Sequence, residues 1–396
     1  MVSENRHIFV AFRGKEINPR TKLIIADLKK ARYRVSTAFT AQLRPQWVGR
    51  ICDRLGLVGF FLQAAVDVVL VMRRAGRERF DIFYCAHPAL LPAAILIRLR
   101  SHAPVVYNSQ EFYGQNFAER LPGFLRWLGG LFGFFELKMA SVAELILTIP
   151  SRDDRWRKRY ERPGNQVLVL ANYPPVRWDE AVPLAERANR LSNHVAVYIG
   201  GIGRAKGVFE AVRAMAMVRK EFTDARLLLV GDLLHDADGL EDLVRELDLG
   251  EAVSFFPWRP YEELAPLLNS SSLGLSLERM ENRYQWRENQ SAGNMRKGAT
   301  YMRFGLPVVA STLDRLVQEV GCGVNADPPE AATVAEAICG LWREPQRGVR
   351  LGELGYKAVC EQYNWESQTS KMLRGFADLL SEADNAAGGI KAEEKA

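Results

Sequence analysis

A glycine-rich segment with two basic residues occupies positions 198–207, where the sequence reads YIGGIGRAKG. It follows a predicted strand and opens a predicted helix, so its backbone N–H groups can approach a phosphate at the helix N-terminus. The basic side chains among the glycines favour a diphosphate ligand, and a purely structural tight turn is the alternative. The residues predicted to bind the diphosphate are Gly201, Gly203, Arg204 and Lys206.

A dinucleotide-dependent enzyme is a second interpretation of this segment, because Asp232 ends the next predicted strand, where an acid could bind a ribose. The spacing disfavours it. The third glycine of that fingerprint falls on Lys206, and Asp232 comes later than the usual interval of about 20 residues. Asp236 and Asp238 could form a metal-binding pair, but their place in a predicted loop favours a solvated surface.

A second motif, RKGATYMRFGLPVVAS, covers positions 296–311 as a predicted helix and a buried strand. It resembles the signature of glycosyltransferase family 4 and its retaining GT-B relatives, approximately N-K-x-x-E-Y-M-x-x-G-x-P-V-V-A-S. Lys297, Tyr301 and Gly305 match that pattern, as does the PVVAS run. The resemblance implies that Lys297, Thr300 and Tyr301 bind the donor.

The resemblance extends over nearly the whole chain. Asn18-Pro-Arg20, the segment VVYNSQE at 105–111 and the segment ANYP at 171–174 resemble further family elements in the expected order. Together they imply transfer of a sugar from a nucleoside-diphosphate donor to a hydroxyl, with retention at the anomeric carbon and with neither metal nor resident cofactor. Gly14 and Arg20 would then belong to the acceptor loop.

Three positions of the donor half depart from the family. The glutamate that binds the donor ribose falls on Thr300, which can make only one weaker contact, and its partner glutamate falls on Ala292. Glu288 is a nearby substitute. Gly201 replaces a basic residue that many relatives carry, so Arg204 would compensate.

The acceptor half departs in its catalytic segment. The family histidine falls on Gln110 and the family aspartate on Asn108, and a glutamine side chain cannot exchange a proton near neutral pH. Gln110, Glu111 and His87 are the candidate catalytic residues. His87 either replaces the missing histidine or has a structural role at a strand end, and Glu111 either binds the acceptor or pairs with a surface arginine.

Short apolar segments alternate with helical patterns, which predicts parallel, doubly wound sheets. The expected fold class is α/β of the GT-B type, with two Rossmann-like domains facing each other across a cleft. We predict an acceptor-binding domain over residues 1–180, a nucleotide-sugar-binding domain over 181–364, a helix over 365–384 that crosses back to the first domain, and a flexible tail over 385–396. The predicted strands are 7–12, 34–39, 80–85, 105–108, 145–149, 166–171, 195–199, 227–231, 253–256, 273–277 and 308–310.

The charge of the chain is unevenly distributed. Residues 1–180 carry 28 Lys+Arg against 16 Asp+Glu, a net charge of +12, whereas residues 181–396 carry 25 against 31, a net charge of −6. The basic half suggests an anionic partner such as a phospholipid surface or a phosphorylated lipid acceptor, and a solvated basic surface is the alternative. Nucleic acid is not predicted as a partner.

Two apolar segments bear on membrane contact. Residues 55–72 form the longest apolar run, but Gln63 and Asp67 interrupt it and it is short of the roughly 20 residues of a bilayer span, so we predict a buried helix. The aromatic stretch 121–139 either packs in the core, as Glu136 suggests, or contacts a membrane interface.

The five scattered cysteines and the N-terminal segment, which lacks an export pattern, predict a cytoplasmic protein that can lie peripherally at the inner face of the membrane. The resulting hypothesis is a glycosyltransferase that adds a sugar to a lipid-linked or polysaccharide acceptor in surface polysaccharide or glycolipid biosynthesis. The alternative is a catalytically inactive GT-B pseudo-enzyme that acts as a nucleotide- or partner-binding regulatory subunit.

Overall fold

The chain forms two units, each with its own parallel sheet, in a computed structural model. Unit 1 comprises Met1–Leu170 and Gln368–Ala396, and unit 2 comprises Ala171–Ser367. The boundary therefore lies at residue 170 rather than at the predicted residue 180. The structure describes residues 6–14, 18–45, 47–48, 52, 54–111, 113–119, 121–150, 154–176, 190–260, 263–279, 295–311 and 314–393, so most of the predicted linker between 172 and 193 lies outside the described residues.

The sheet of unit 1 has six parallel strands in the order β2-β1-β3-β4-β5-β6. The four central strands are buried along their length, whereas β2 and β6 at the edges are partly exposed. This is why the central strands read as continuous apolar runs, since helices cover both faces of a parallel sheet. The strands are β1 (His7–Phe12), β2 (Arg34–Phe39), β3 (Ile82–Cys85), β4 (Val105–Asn108), β5 (Leu145–Thr148) and β6 (Gln166–Val169).

Among the described residues of unit 1, seven helices of four or more residues lie between these strands. The first begins where the sequence signals it, because Asn18 caps it by accepting a hydrogen bond from the Thr21 backbone N–H at 2.7 Å and a proline follows at the first helical position. The helices are α1 (Pro19–Lys30), α2 (Thr40–Leu43), α3 (Gly56–Ala75), α4 (Leu91–Ser101), α5 (Tyr113–Glu119), α6 (Trp127–Ala140) and α7 (Arg155–Tyr160).

One expectation for unit 1 is wrong. The apolar run at 55–72 does form a helix, α3, but only 17% of its most apolar window is buried. Periodicity shows that a helix is apolar without showing which of its faces meets the core, and here most of the apolar side chains point outward. Among the described residues, α3 is the one helix long and apolar enough to cross a membrane by length and composition.

The sheet of unit 2 also has six parallel strands, in the order β12-β11-β10-β7-β8-β9. Two apolar clusters, one on each face, bury it. Five of the six strands were predicted; β12 was missed because its three residues, Gly-Val-Asn, contain no apolar run. The strands are β7 (Val195–Ile199), β8 (Arg226–Val230), β9 (Val253–Phe256), β10 (Leu273–Ser276), β11 (Val308–Ala310) and β12 (Gly323–Asn325).

The described part of unit 2 includes seven complete helices and the start of an eighth. The last helix of the chain begins in unit 2 and continues in unit 1, where Thr369 donates a hydrogen bond to Asp27 at 2.7 Å and Phe376 stacks on Tyr84. It extends to Glu393, so residues 385–393 are helical where a flexible tail was expected. The helices are α8 (Val208–Val218), α9 (Leu240–Glu246), α10 (Ala265–Asn269), α11 (Met295–Arg303), α12 (Arg315–Val320), α13 (Ala331–Arg343), α14 (Pro345–Glu361) and α15 (Trp365–Glu393).

Candidate functional site

The glycine-rich segment forms a loop at the carboxyl end of β7 and leads into α8. A short 3-10 turn, Arg204–Lys206, precedes Gly207, which has φ of 71°. A side chain at Gly207 would also place its Cβ 2.0 Å from the carbonyl oxygen of Leu277. Only glycine fits here, and the loop is consequently held against the end of β10.

Two lysines from this region converge on one carboxylate. Lys206 Nζ lies 3.3 Å from Glu278 Oε1, and Lys297 Nζ on α11 lies 3.2 Å from the same oxygen. Glu278 is only 3% exposed. The two predicted cations therefore do come together at the carboxyl edge of the sheet, where ligands of doubly wound folds bind.

The Glu278 carboxylate was not predicted from the sequence. Glu278 follows the end of β10 by two residues. An acidic residue just beyond a buried strand is the sequence feature that could have identified it as a site residue. Lys297 also donates a hydrogen bond to the Tyr198 hydroxyl at 3.1 Å and lies over the Tyr198 ring at 4.6 Å. This packing fixes the direction of the Lys297 ammonium group towards Glu278.

Arg204 does not join the two lysines. Its guanidinium donates a hydrogen bond to the Asp238 carbonyl oxygen at 2.9 Å and lies 3.8 Å from the centroid of the Phe209 ring. Spacing placed Arg204 in the loop correctly but could not give the direction of its side chain. The prediction that Arg204 compensates for the basic residue missing at Gly201 is therefore not supported by this geometry.

Asp236, predicted to lie on a solvated surface, contacts the glycine-rich loop. Its Oδ2 accepts a hydrogen bond from the Ala205 backbone N–H at 3.0 Å. A Cβ at Gly203 would lie 2.1 Å from the Asp236 Oδ1, so this glycine makes room for the carboxylate. A side chain of the protein thus binds one of the N–H groups that the loop was expected to present to a phosphate.

Tyr301 links the ends of β7 and β10, the two strands that precede the site. It is fully buried; its hydroxyl accepts a hydrogen bond from the Ile199 N–H and donates one to the Leu275 carbonyl, both at 3.0 Å. Burial raises the pKa of this hydroxyl. Both hydrogen bonds of this hydroxyl are made to the backbone, and a contact between Tyr301 and the donor stays a prediction. Thr300, beside it, is also buried.

Asp314, a residue not predicted, lies under α11. Its Oδ2 accepts a hydrogen bond from Ser276 at 2.7 Å, and its Oδ1 accepts one from the Val317 N–H at the start of α12. Burial raises the pKa of Asp314 to about 6, against the opposing effect of these hydrogen bonds. A Cβ at Gly298 would lie 2.8 Å from this carboxylate, so α11 packs closely on Asp314.

Gln110 in unit 1 links β4 to the start of α1. Its side-chain oxygen accepts a hydrogen bond from Asn18 at 2.6 Å, and its amide nitrogen donates one to the Thr21 hydroxyl at 3.1 Å. Both ends of the amide are therefore engaged. Asn108, two residues earlier, is buried and donates to the Tyr84 hydroxyl.

His87 and Glu111 lie on either side of Tyr113. The His87 ring is 5.4 Å from the Tyr113 ring, and the Glu111 charge and burial together raise the pKa of the Tyr113 hydroxyl, with burial the larger cause. His87 Nδ1 accepts a hydrogen bond from the Ala89 N–H at 3.1 Å, and Glu111 accepts one from Asn116 at 2.7 Å. His87, Gln110 and Glu111 thus all interact with Tyr113, a residue that was not predicted from the sequence.

The remaining predicted residues are less informative. Gly14 has φ of 152°, in the region that favours glycine, and Arg20 is buried in α1. Ala292 and Glu288, considered above as donor-binding positions, lie outside the described residues.

Comparisons with known proteins agree with this architecture. Residues 193–344 match the family model described as "Glycosyl transferases group 1". A comparison with curated proteins gives no match. Among solved structures, the chain is similar to sucrose-phosphate synthase (tll1590) from Thermosynechococcus elongatus, with 16% identity, a TM-score of 0.69 and coverage of 95% of this chain and 100% of that one.

Two further structures have the same fold. Anabaena Alr3699/HepE in complex with UDP has 15% identity and a TM-score of 0.65, over 94% of this chain and 100% of that one. WaaG, described as a glycosyltransferase involved in lipopolysaccharide biosynthesis, has 15% identity and a TM-score of 0.60, over 94% and 99% of the two chains.

The two parallel sheets and these full-length similarities define a protein with the GT-B fold, as the sequence predicted. Within its second unit, residues 193–344 match the glycosyl transferases group 1 model, which supports glycosyltransferase activity for a chain with this fold.

Proposed function

We propose that this protein transfers a sugar from a nucleoside-diphosphate donor to a hydroxyl of a lipid-linked or polysaccharide acceptor. UDP is the first nucleotide to test. The observation that carries the proposal is the convergence of Lys206 and Lys297 at the strand ends beside the N-terminus of α8. One similar structure holds UDP-glucose, and WaaG is described as acting in lipopolysaccharide biosynthesis. These relatives support a UDP-sugar and a surface-glycan pathway.

The two lysines would stabilise the leaving group. When the bond between sugar and phosphate breaks, negative charge accumulates on the diphosphate, and positioned cations lower the energy of that state more than that of the intact donor. The positive end of the α8 dipole adds to the same effect. In this proposal the reaction proceeds without a metal or a resident cofactor, and retention at the anomeric carbon follows the family resemblance.

Donor binding must release Glu278 from at least one lysine. Its carboxylate lies within 3.3 Å of both ammonium groups, which is where a diphosphate oxygen would be placed. Because two anions close together repel each other, the donor and the Glu278 carboxylate compete for the same cations. Glu278 therefore sets part of the donor affinity in this proposal.

The acceptor would be bound by the carboxyl edge of unit 1. Gly14, Arg20, His87, Gln110 and Glu111 all belong to loops or helix starts that follow strands of that sheet. Such edges bind ligands in doubly wound folds. With the net charge of +12 over residues 1–180, they support a phosphorylated, membrane-bound acceptor and a protein acting at the cytoplasmic face of the membrane.

A thermal-shift screen tests the donor part of this proposal. The purified protein is heated with UDP, GDP, ADP, dTDP and their sugar conjugates, and a ligand that binds only the folded state raises the melting temperature. We expect a shift with one nucleotide that Lys206→Ala removes and that Lys220→Ala, a change at an exposed lysine of the same unit, leaves intact. The absence of a shift with every compound would contradict the proposal.

A second candidate function is that of a nucleotide- or partner-binding regulatory subunit without catalysis. Two observations favour it: the Gln110 amide is engaged at both ends, and Thr300 is buried at the position where relatives carry a ribose-binding glutamate. A screen of UDP-sugars for transfer or hydrolysis separates the two functions. Nucleotide binding with no consumption of any UDP-sugar, in the presence of membrane extract as acceptor, would support the regulatory subunit.

A further inference from the structure

Helix α3 has a side of exposed apolar residues. Val58, Phe61, Leu62 and Val69 are each 49–63% exposed, and their spacing places them on one side of the helix. The opposite side meets the core through residues that include Asp67, the one acidic residue of this helix, which is fully buried. The polarity of α3 is therefore the reverse of that of an ordinary surface helix.

Asp67 is held by two arginines from neighbouring segments. Arg13 Nε lies 3.0 Å from its Oδ2, and Arg44 Nε lies 3.8 Å from its Oδ1. Burial raises the pKa of the Asp67 carboxyl, against the lowering effect of Arg44 and Arg13. This inward network fixes the rotation of α3 and keeps its apolar side in contact with solvent.

Helix α6 shows the same reversal. Trp127, Leu131, Phe134 and Phe135 are exposed on one side, while Glu136 is buried on the other. Glu136 accepts hydrogen bonds from the Tyr107 and Tyr160 hydroxyls at 2.8 and 2.5 Å. Two helices thus turn their acidic residue to the core and their large apolar residues to solvent.

These helices lie in one layer. Helix α3 connects β2 to β3, α4 connects β3 to β4, and α6 connects β4 to β5, so all three connections cross the sheet in the same direction. Helix α4 also exposes apolar side chains, those of Leu96 and Leu99. Right-handed connections place all three on the same face of the sheet. We call α3, α4 and α6 the apolar helix layer.

The charge of the apolar helix layer is one-sided. Its three helices, whose residues are all described, carry five cations, and both of their carboxylates are buried. Two of the cations, Arg74 and Arg98, form ion pairs with Glu78 and Glu144 outside these helices. The three exposed charges of the layer are therefore all positive, and they belong to Arg73, Arg100 and Lys138. The cations are Arg73, Arg74, Arg98, Arg100 and Lys138.

We infer that the apolar helix layer binds an anionic phospholipid bilayer and lies in the plane of its interface. An extensive apolar surface is rare on a soluble monomer, and apolar and aromatic side chains flanked by cations suit the boundary between anionic head groups and acyl chains. A second copy of this chain, equally positive there, would be repelled by the like charges. The inference rests on the proposed membrane-bound acceptor, for which it names the surface that reaches the lipid.

The helices lie on the bilayer rather than crossing it. Although α3 has the length of a span, it joins β2 and β3 of one sheet and packs beside α4, so it cannot leave the sheet to cross a membrane. Its inward network with Arg13 and Arg44 also requires the sheet as a neighbour. Insertion is accordingly limited to the outward side chains.

Vesicle co-sedimentation of the full chain tests this inference. We expect binding to phosphatidylcholine vesicles that contain phosphatidylglycerol, weaker binding to phosphatidylcholine alone, and a decrease with added salt. The double variant Leu62→Gln, Trp127→Gln should weaken binding roughly tenfold or more, because each side chain no longer transfers favourably into the acyl region.

Unit 2 offers a matched control. Leu354 and Trp258 are 50% and 59% exposed, close to Leu62 at 49% and Trp127 at 65%. The double variant Leu354→Gln, Trp258→Gln should bind vesicles like the original protein. Equal loss in both double variants would overturn the inference, as would the absence of vesicle binding in a protein that forms a dimer dependent on Leu62 and Trp127.

The UDP thermal shift, measured on the same samples, keeps the two proposals apart. Loss of vesicle binding with an intact UDP shift shows that the double variant is folded and supports the membrane surface. A wild-type protein that shows the UDP shift but binds neither kind of vesicle would contradict the membrane inference and leave the proposed function standing. Vesicle binding without any nucleotide shift would instead count against the proposed function.

Discussion

The carboxyl edges of the two sheets are equipped differently. In unit 2, Lys206 and Lys297 converge on one buried carboxylate, so the edge concentrates charge that an anionic ligand can use. In unit 1, the amide of Gln110 beyond the end of β4 is engaged with Asn18 and Thr21, so this side chain forms hydrogen bonds between neutral groups. Two parallel six-stranded sheets therefore present a pair of cations at one carboxyl edge and an engaged amide at the other.

The strongest test of this contrast removes the two cations of unit 2. We expect Lys206→Ala and Lys297→Ala each to cost about 1.5–3 kcal/mol of UDP binding free energy, tenfold or more in Kd, because each removes a charged hydrogen-bond donor. Isothermal titration with UDP measures the change, and Lys220→Ala is the control. Unaltered affinity in both variants would show that the anion binds elsewhere.

A pH series tests the buried acid that supports the site. The folded-state pKa of Asp314, about 6, lies above its ordinary value of 3.8, so folding disfavours its ionised form. The free energy of unfolding should therefore fall as pH rises from about 4 to about 6, by at most about 1.4 kcal/mol per pH unit, and stay level above that range.

The variant Asp314→Asn isolates this effect, because asparagine keeps the shape of the side chain and does not ionise. Urea unfolding at several pH values should show the decline in the original protein and a flatter profile in the variant. Two parallel profiles would mean that Asp314 does not titrate in this range.

In unit 1, Gln110→Ala should act on stability rather than on the donor. It removes two hydrogen bonds at the start of α1, at a cost of about 1 kcal/mol in the free energy of unfolding, while the affinity for UDP stays the same. Urea unfolding and UDP titration on one preparation measure both quantities. A large loss of UDP affinity would remove the contrast between the two edges.

Glu278→Gln tests whether the protein's own carboxylate competes with the donor. The neutral amide should compete less for Lys206 and Lys297, and UDP should bind more tightly by about 0.5–1.5 kcal/mol. Weaker binding would instead show that Glu278 holds the two lysines in the geometry that UDP needs. Titration at two salt concentrations adds a check, since an electrostatic gain shrinks as salt is added.

The smallest effect is expected for Arg204→Ala. Because its guanidinium is directed to the Asp238 carbonyl and the Phe209 ring, its removal should leave UDP affinity nearly unchanged. A loss as large as that of Lys206→Ala would restore the role that the sequence alone suggested for Arg204.

Much of the fold could be predicted, because strand and helix periods are local properties of the chain. Eleven of the twelve strands and the doubly wound class are confirmed, whereas the short β12 has too few apolar residues to be recognised. The orientation of α3 could not be predicted, since it depends on Asp67 meeting two arginines from other segments.

The site was partly predictable for the same reason. Lys206 and Lys297 lie in recognisable motifs, but the importance of Glu278 depends on lysines that the fold alone brings close, one of them 72 positions away in sequence. Side-chain direction is likewise set by packing. That is why the sequence placed Arg204 and Tyr301 in their segments but did not give the contacts that their side chains make within the protein.

The hydroxyl of Tyr301 has a further consequence for the shape of the donor site. Backbone pairing between β7 and β10 ends at Val197 and Gly274. Beyond that point the Tyr301 hydroxyl links the two strands, because it accepts a hydrogen bond from the Ile199 N–H and donates one to the Leu275 carbonyl. The Tyr301 hydroxyl therefore lies between the two strands just before the loops that carry Lys206 and Glu278. A phenol hydroxyl that joins β7 to β10 therefore helps to set the spacing of the loops that carry Lys206 and Glu278, the residues of the proposed anion site.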